Sequence, residues 1–151
     1  MSPEALPTGP DLEAVINLVL QTYPHADVVT IDGAVFFALD PEKHFPNFVT
    51  IVWIDDFDGD KVSDLTNRAG VFRVNIGVSG GTFGRVAESD TNPDYAALDR
   101  LLPHPVYAKQ HWISILNPSD ATWRDVVLPL IAEAHDRLAA ARARHRVGVT
   151  G

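Results

Sequence analysis

The sequence predicts an α+β fold: an antiparallel sheet of about five strands with the N- and C-terminal helices packed on one face. Three observations predict it. The β-rich runs follow one another, the first two joined at Asp32-Gly33, and do not alternate with helices as a parallel sheet requires. The two long helical stripes stand at the ends of the chain. The run Phe48 to Ile54, FVTIVWI, is apolar on both faces, so it reads as a central strand with cover on both sides.

Taken in order, Met1 to Gly9 is Pro-rich and reads as a frayed lead. Thr8 and Asp11 resemble a capping box, with Pro10 in the first turn. Leu12, Val15, Ile16, Val19 and Leu20 then recur at helical spacing from about Asp11 to Thr22, and Pro24 stops the helix. The hairpin at Asp32-Gly33 and the strand Phe48 to Ile54 follow, then an acidic loop at Asp55 to Asp60. Val71 to Val78 alternates. Phe72, Val74, Ile76 and Val78 face one way, Arg73, Asn75 and Gly77 the other, as in a half-exposed strand. SGGTFGRVAE gives a turn and one or two helical turns. Asp94 reads as the N-cap of a short helix, YAALDRLL, ended by Pro103. His111 to Leu116 is the last strand. Trp123, Val126, Val127, Leu130, Ile131, Ala134 and Leu138 make the stripe of a long final helix. Pro129 lies inside that stripe and should kink it, since the stripe continues in phase. The length of 151 residues suits one domain, 1–151, with flexible ends at 1–9 and 145–151.

Composition narrows the function classes. With no cysteine there is no disulfide, thiolate metal site or cysteine nucleophile, which suits a reducing, cytoplasmic location. Twelve basic against twenty acidic side chains give a net charge of −8, which repels phosphate backbones and makes nucleic acid an unfavoured partner. No apolar run reaches membrane-spanning length, and the N-terminus lacks the features of a signal peptide.

The run Tyr107 to Leu138, with Lys109 and the His111-Trp112 pair ahead of an apolar-striped helix, resembles the C-terminal part of MmcQ/YjbR-like proteins. FRVNIGVS (Phe72 to Ser79), YAALDR (Tyr95 to Arg100), HPVY (His104 to Tyr107) and LNP (Leu116 to Pro118) resemble, over most of the chain, an uncharacterised actinobacterial family known only as a domain of unknown function. The resemblance implies a CyaY-like arrangement of two helices on a five-stranded sheet and brings no catalytic residue. For MmcQ/YjbR-like proteins DNA binding has been suggested.

Candidate chemistry gathers in two places. Arg73 and Asn75 project from one strand face, with Trp53 and Asp55 of the neighbouring strand as further ligand-binding candidates. His104, His111 and Tyr107 are the catalytic candidates, with Arg73 holding an anionic group and a histidine moving a proton without a metal. His104 sits between two prolines in a segment that reads as rigid and exposed. His111 and Trp112 lie on opposite faces of their strand, and the pattern leaves open which faces the helices. Asp55, Asp56, Asp58 and Asp60 fail the EF-hand spacing and read as a solvated turn. The histidines lack zinc-site spacings, so no metal and no cofactor is expected. Gly77-Val78-Ser79-Gly80-Gly81 fits the letters of a nucleophile elbow, but Gly80-Gly81 is a weak helix start, so a glycine-rich turn is expected. The Arg-rich end, Arg137 to Arg146, is accounted for by the helix dipole. The partner this reading favours is a small anionic or carbonyl ligand. A homodimer is an alternative if the apolar face of Val49, Ile51 and Trp53 is not under the helices.

Overall fold

The computed structural model describes residues 4–39, 47–57, 61–87 and 89–150, with 145–150 described by backbone alone. Helix α1 (Leu12–Thr22) is followed by strands β1 (Asp27–Ile31), β2 (Ala34–Ala38), β3 (Asn47–Val52) and β4 (Arg73–Gly77). Helix α2 (Gly80–Val86), strands β5 (Leu102–Pro103) and β6 (Trp112–Leu116), and helices α3 (Asp120–Thr122) and α4 (Leu128–Thr150) complete the chain. All strand pairs are antiparallel in the order β1-β2-β3-β4-β6-β5. The α+β expectation holds. The sixth strand is the two-residue β5, too short to leave a periodic signal and placed where a helix was expected to run.

One face of the sheet carries the main core. Val35 and Phe37, Val49 and Ile51, Val74 and Ile76, and Ile113 and Ile115 face Val15 and Val19 of α1 and Trp123, Val127, Leu130, Ile131 and Ala134 of the C-terminal helix. Trp53 packs on this side too. The helices therefore cover the face proposed for a second subunit, and the argument for a dimer through it falls away. A register shift beside Phe37 and Ala38 leaves Phe48 as the extra residue of β3, and Phe48 turns to the helix side. There its ring meets Tyr23 and His135 at centroid distances of 5.2 Å each.

The helix ends follow local chemistry. Asp11, not Thr8, caps α1, its Oδ1 accepting the Ala14 N–H at 2.9 Å. Thr8 instead offers its carbonyl to the Asp120 N–H, and Glu4 pairs with Arg68. Residues 1–3 and 151 lie outside the described residues, as do the side chains of 145–150. The final helix begins at the Ser119 cap and passes through one π turn, Trp123–Val127, in which the Leu128 N–H reaches back to the Trp123 carbonyl. That wider turn comes just before Pro129, which has no N–H to give, and the helix continues beyond it with its stripe in phase. Residues Tyr95 to Leu101 form one turn and an irregular stretch that bridges Leu98 to Leu116, rather than the expected short helix. Asp94 Oδ1 takes the Ala96 N–H as a turn residue, and Asp99 sits at φ 55°, outside the right-handed helical region.

Candidate functional site

The sheet face away from the helices is the informative one. By register it carries Ala34 and Phe36, Thr50 and Val52, Arg73 and Asn75, Trp112, Ser114 and Leu116. Alternation alone makes this face half-exposed. The structure buries it: Arg73 is 1 % exposed and Asn75 2 %. At the Arg73 end a small second core explains the cover. Leu65 and Val71 pack with Ala34, Val52 and Leu116, and Phe36, Phe57 and Leu98 close around them.

Asp55 builds that cover. Its buried carboxylate accepts the Leu65 N–H at 2.8 Å and the Thr66 N–H at 3.3 Å, while Thr66 Oγ1 accepts the Asp55 N–H. The fold-back brings Ser63 over β4, where its Oγ accepts from Arg73 Nη1 at 3.2 Å. Asp55 is thus a clamp within the loop. It is buried rather than part of a solvated acidic turn; Asp58 and Asp60 lie outside the described residues. Among the described residues no group of three or more His, Cys, Asp or Glu side chains could hold a metal ion.

Arg73 anchors a polar strip across three strands. Its Nε donates to Asn75 Oδ1 at 2.8 Å, and Asn75 Nδ2 donates to Thr50 Oγ1 on β3 at 3.0 Å. Ser114, the partner of Asn75 on β6, ends the strip with a buried Oγ that has no hydrogen-bond partner among the described residues.

His104 enters from the sheet edge. Pro105 favours an extended His104, whose N–H continues the β5–β6 ladder to the Trp112 carbonyl. Its ring then caps the next turn: the N–H groups of Val106 and Tyr107 both donate to Nδ1, at 2.9 and 3.0 Å. A nitrogen accepting two N–H groups carries no proton, so the proton sits on Nε2. Burial, with the Arg73 guanidinium nearby, pushes the His104 pKa down to about 3. The segment is rigid as expected, but His104 is buried and only Val106 and Tyr107 are exposed.

Trp112 completes the wall. Its indole lies against Gly77, where a Cβ would meet the ring at 3.0 Å, so a side chain at this strand position would have to push the indole aside by a few tenths of an ångström. Arg73, Asn75, His104, Tyr107 and Trp112, with Thr50, Val52, Phe36, Phe57 and Asn47, line one cavity of about 350 Å³. Its volume lies within the range of small-molecule sites.

A family of unknown function (DUF6194) matches residues 10–148. The chain belongs to this family. Neither the curated proteins nor the solved structures give a match.

Within this DUF6194 chain the candidate residues fall into two groups. Arg73, Asn75, His104 and Tyr107 come together in the cavity. Trp53, Asp55 and His111 do not. Trp53 is on the helix side, and Asp55 is inside the loop clamp. His111 adopts a left-handed conformation at φ 66°, against Gly80 and near the Phe83 ring. The open question of the last strand is settled by the Gly77 contact: Trp112 faces the cavity and His111 lies by α2. Sequence reasoning missed Trp112, Phe57 and Phe36 as cavity walls. The paired positions Gly77 and Trp112 were a usable signal, since a small residue opposite an indole leaves room for the ring.

Ser79 does start a helix despite Gly80-Gly81. Its Oγ accepts the Thr82 N–H and bonds to Thr82 Oγ1, while Glu133 takes the Ser79 N–H and the Thr82 hydroxyl. Those contacts describe an N-cap tied to α4. The LNP segment is likewise architectural: Asn117 accepts from the Phe72 N–H and donates to the Gly70 carbonyl, fixing the entry to β4.

Proposed function

We propose that the protein is a small-molecule-binding domain whose ligand sits over Arg73 and Asn75 and presents an anionic or carbonyl oxygen to them. The observation that carries this reading is the convergence of Arg73, Asn75, His104 and Tyr107 on one concave, largely apolar cavity, reached from one strand and one edge segment. The groups are chemically consistent with that ligand. Arg73 supplies positive charge, and His104 Nε2–H and the Tyr107 hydroxyl supply hydrogen bonds.

Binding is favoured over acid–base catalysis by His104 itself. A general base or acid works best with a pKa near the operating pH. His104 stays neutral far below that range, with Nδ1 occupied by backbone N–H groups. His111, the other candidate, is outside the cavity. DNA binding, the activity the MmcQ/YjbR resemblance implies, has the net charge of −8 against it.

The test is an NMR screen of small carboxylates, amides and ketones against the labelled protein. Ligands are expected to shift the amides of Thr50, Arg73, Asn75, Tyr107 and Trp112. Hits that instead shift Gly80, Phe83 and Lys109, which line the cleft by His111, would place the binding site elsewhere and overturn the proposal.

A further inference from the structure

A fixed donor in the cavity wall narrows the ligand class. Building on the binding reading and taking its carbonyl arm, we infer that the cavity takes an uncharged planar aromatic ligand of one or two rings, whose carbonyl oxygen accepts a hydrogen bond from His104 Nε2–H.

The donor is built by the turn. His104 is 5 % exposed and lines the cavity. Its Nδ1 accepts from the Val106 and Tyr107 N–H groups, which puts the proton on Nε2, away from that cap. Nε2 has no hydrogen-bond partner among the described residues. Two backbone bonds hold the ring, so the donor is oriented before a ligand arrives. Thr50 adds a second donor to the same cavity. Its Oγ1 accepts from Asn75 Nδ2, which leaves its hydroxyl hydrogen to be given. Both groups are uncharged donors. A carbonyl oxygen, with two lone pairs and no proton, is their complement.

The charge balance favours a neutral guest. Asn75 Oδ1 and Ser63 Oγ accept from Arg73, and Arg73 has a further partner in the protein. The guanidinium is therefore engaged without a ligand. A carboxylate would have to shed its water in a largely apolar cavity of a chain with net charge −8, and to compete for that engaged group. A ketone or lactone oxygen gives up far less hydration.

The walls set the shape. Phe36 and Phe57 meet edge to face with centroids 5.9 Å apart, the Trp112 indole lies against Gly77, and the Tyr107 ring stands 5.1 Å from that of His104. Rings held by packing offer stacking and edge contacts to a flat guest at low conformational cost. A volume of about 350 Å³ lies at the small end of ligand sites, which suits one or two rings.

Four probes of similar size separate these contributions: 1-indanone, indane, octahydro-1-indenone and benzoate. The last three remove in turn the carbonyl, the aromatic plane and the neutrality. Each is titrated into the full chain and followed by the amide shifts of Thr50, Asn75, Tyr107 and Trp112 and by the Nε2 resonance of His104. 1-Indanone is expected to bind roughly 3- to 10-fold more tightly than indane, through the added hydrogen bond. It is expected to bind roughly 2- to 10-fold more tightly than octahydro-1-indenone, through ring contacts. Benzoate is expected to bind at least about tenfold more weakly than 1-indanone. 1-Indanone should move the His104 Nε2 resonance, and indane should leave it in place. His104→Asn keeps an acceptor for the turn but ends short of the Nε2 position. In that variant the preference for 1-indanone over indane should shrink to within about twofold. The wild-type Nε2 resonance carries the test alone if the variant does not fold.

Benzoate that binds as tightly as 1-indanone overturns the neutral assignment. Equal binding of 1-indanone and octahydro-1-indenone overturns the aromatic one. Indane as tight as 1-indanone, or an Nε2 resonance unmoved by bound 1-indanone, overturns the role of His104 as donor. In each of these cases the cavity still binds a ligand, so the binding reading stands. If no probe shifts the cavity residues, the inference fails outright. The binding reading fails with it only if the screen of carboxylates, amides and ketones also maps elsewhere.

Discussion

Replacing His104 by Asn tests the electrostatic account of the cavity edge. Asn Oδ1 can accept the Val106 and Tyr107 N–H groups where Nδ1 now does, so the turn keeps its cap while the titrating group disappears. In the wild type the His104 pKa falls from 6.5 in the unfolded chain to about 3 in the folded one. A depressed pKa means that the folded state disfavours the protonated ring. The stability tied to neutral His104 is therefore fully present above pH 6.5 and is lost as pH falls from 6.5 toward 3. The whole span corresponds to about 5 kcal/mol, of which about 2 kcal/mol is lost between pH 7 and pH 5. Urea denaturation of wild type and His104→Asn at both pH values isolates this contribution, because the two proteins differ at this position alone. Wild type should lose about 2 kcal/mol more than the variant on going to pH 5. The ring signal of His104 should also stay unshifted between pH 8 and pH 5. Parallel pH dependence in the two proteins, or a ring that titrates near 6.5, would refute the buried, doubly capped imidazole.

Three further outcomes follow from the packing and the charge. Leu130→Ala removes a side chain 8 % exposed in the main core and should cost roughly 2–5 kcal/mol; an unchanged denaturation midpoint would put Leu130 on the surface. Ser114→Ala deletes a buried hydroxyl with no partner among the described residues, so it should be neutral or stabilise by up to about 1 kcal/mol. A loss larger than 1 kcal/mol, read by the same denaturation, would mean that Oγ is satisfied in solution. At about 150 mM salt an anisotropy titration should show no binding to duplex DNA, and micromolar affinity with a steep salt slope would reverse the ranking of functions.

Much of the architecture was legible because it rests on short-range pattern. The stripes of α1 and α4 gave their buried faces, and FVTIVWI gave a strand covered twice. The β5 strand and the irregular path of Tyr95 to Leu101 were not legible. Leu102 and Pro103 pair with Ser114 and Ile113 through a contact set by the tertiary path, and the helical spacing of YAALDRLL has no local competitor on paper. The convergence of Arg73, Asn75, His104 and Tyr107 was readable as a conditional. Two of them share a strand face, two sit near a sheet edge, and the fold had only to bring face and edge together.

What the sequence could not show is that this polar face is covered. Alternation in VFRVNIGV assigns Arg73 to solvent, and nothing within the strand argues otherwise. The reversal comes from a carboxylate eighteen residues earlier in the chain. Asp55 folds residues 63–66 back over β4 by accepting two backbone N–H groups, and Leu65 then fills the space beside Val52 and Leu116. A guanidinium 1 % exposed persists only where its donors are met, and Asn75 and Ser63 hold two of them in fixed directions. The loop clamp thus encloses one end of the cavity as a by-product of closing the second core. It withdraws the cation from water, orients it, and leaves it lining a cavity with aromatic walls.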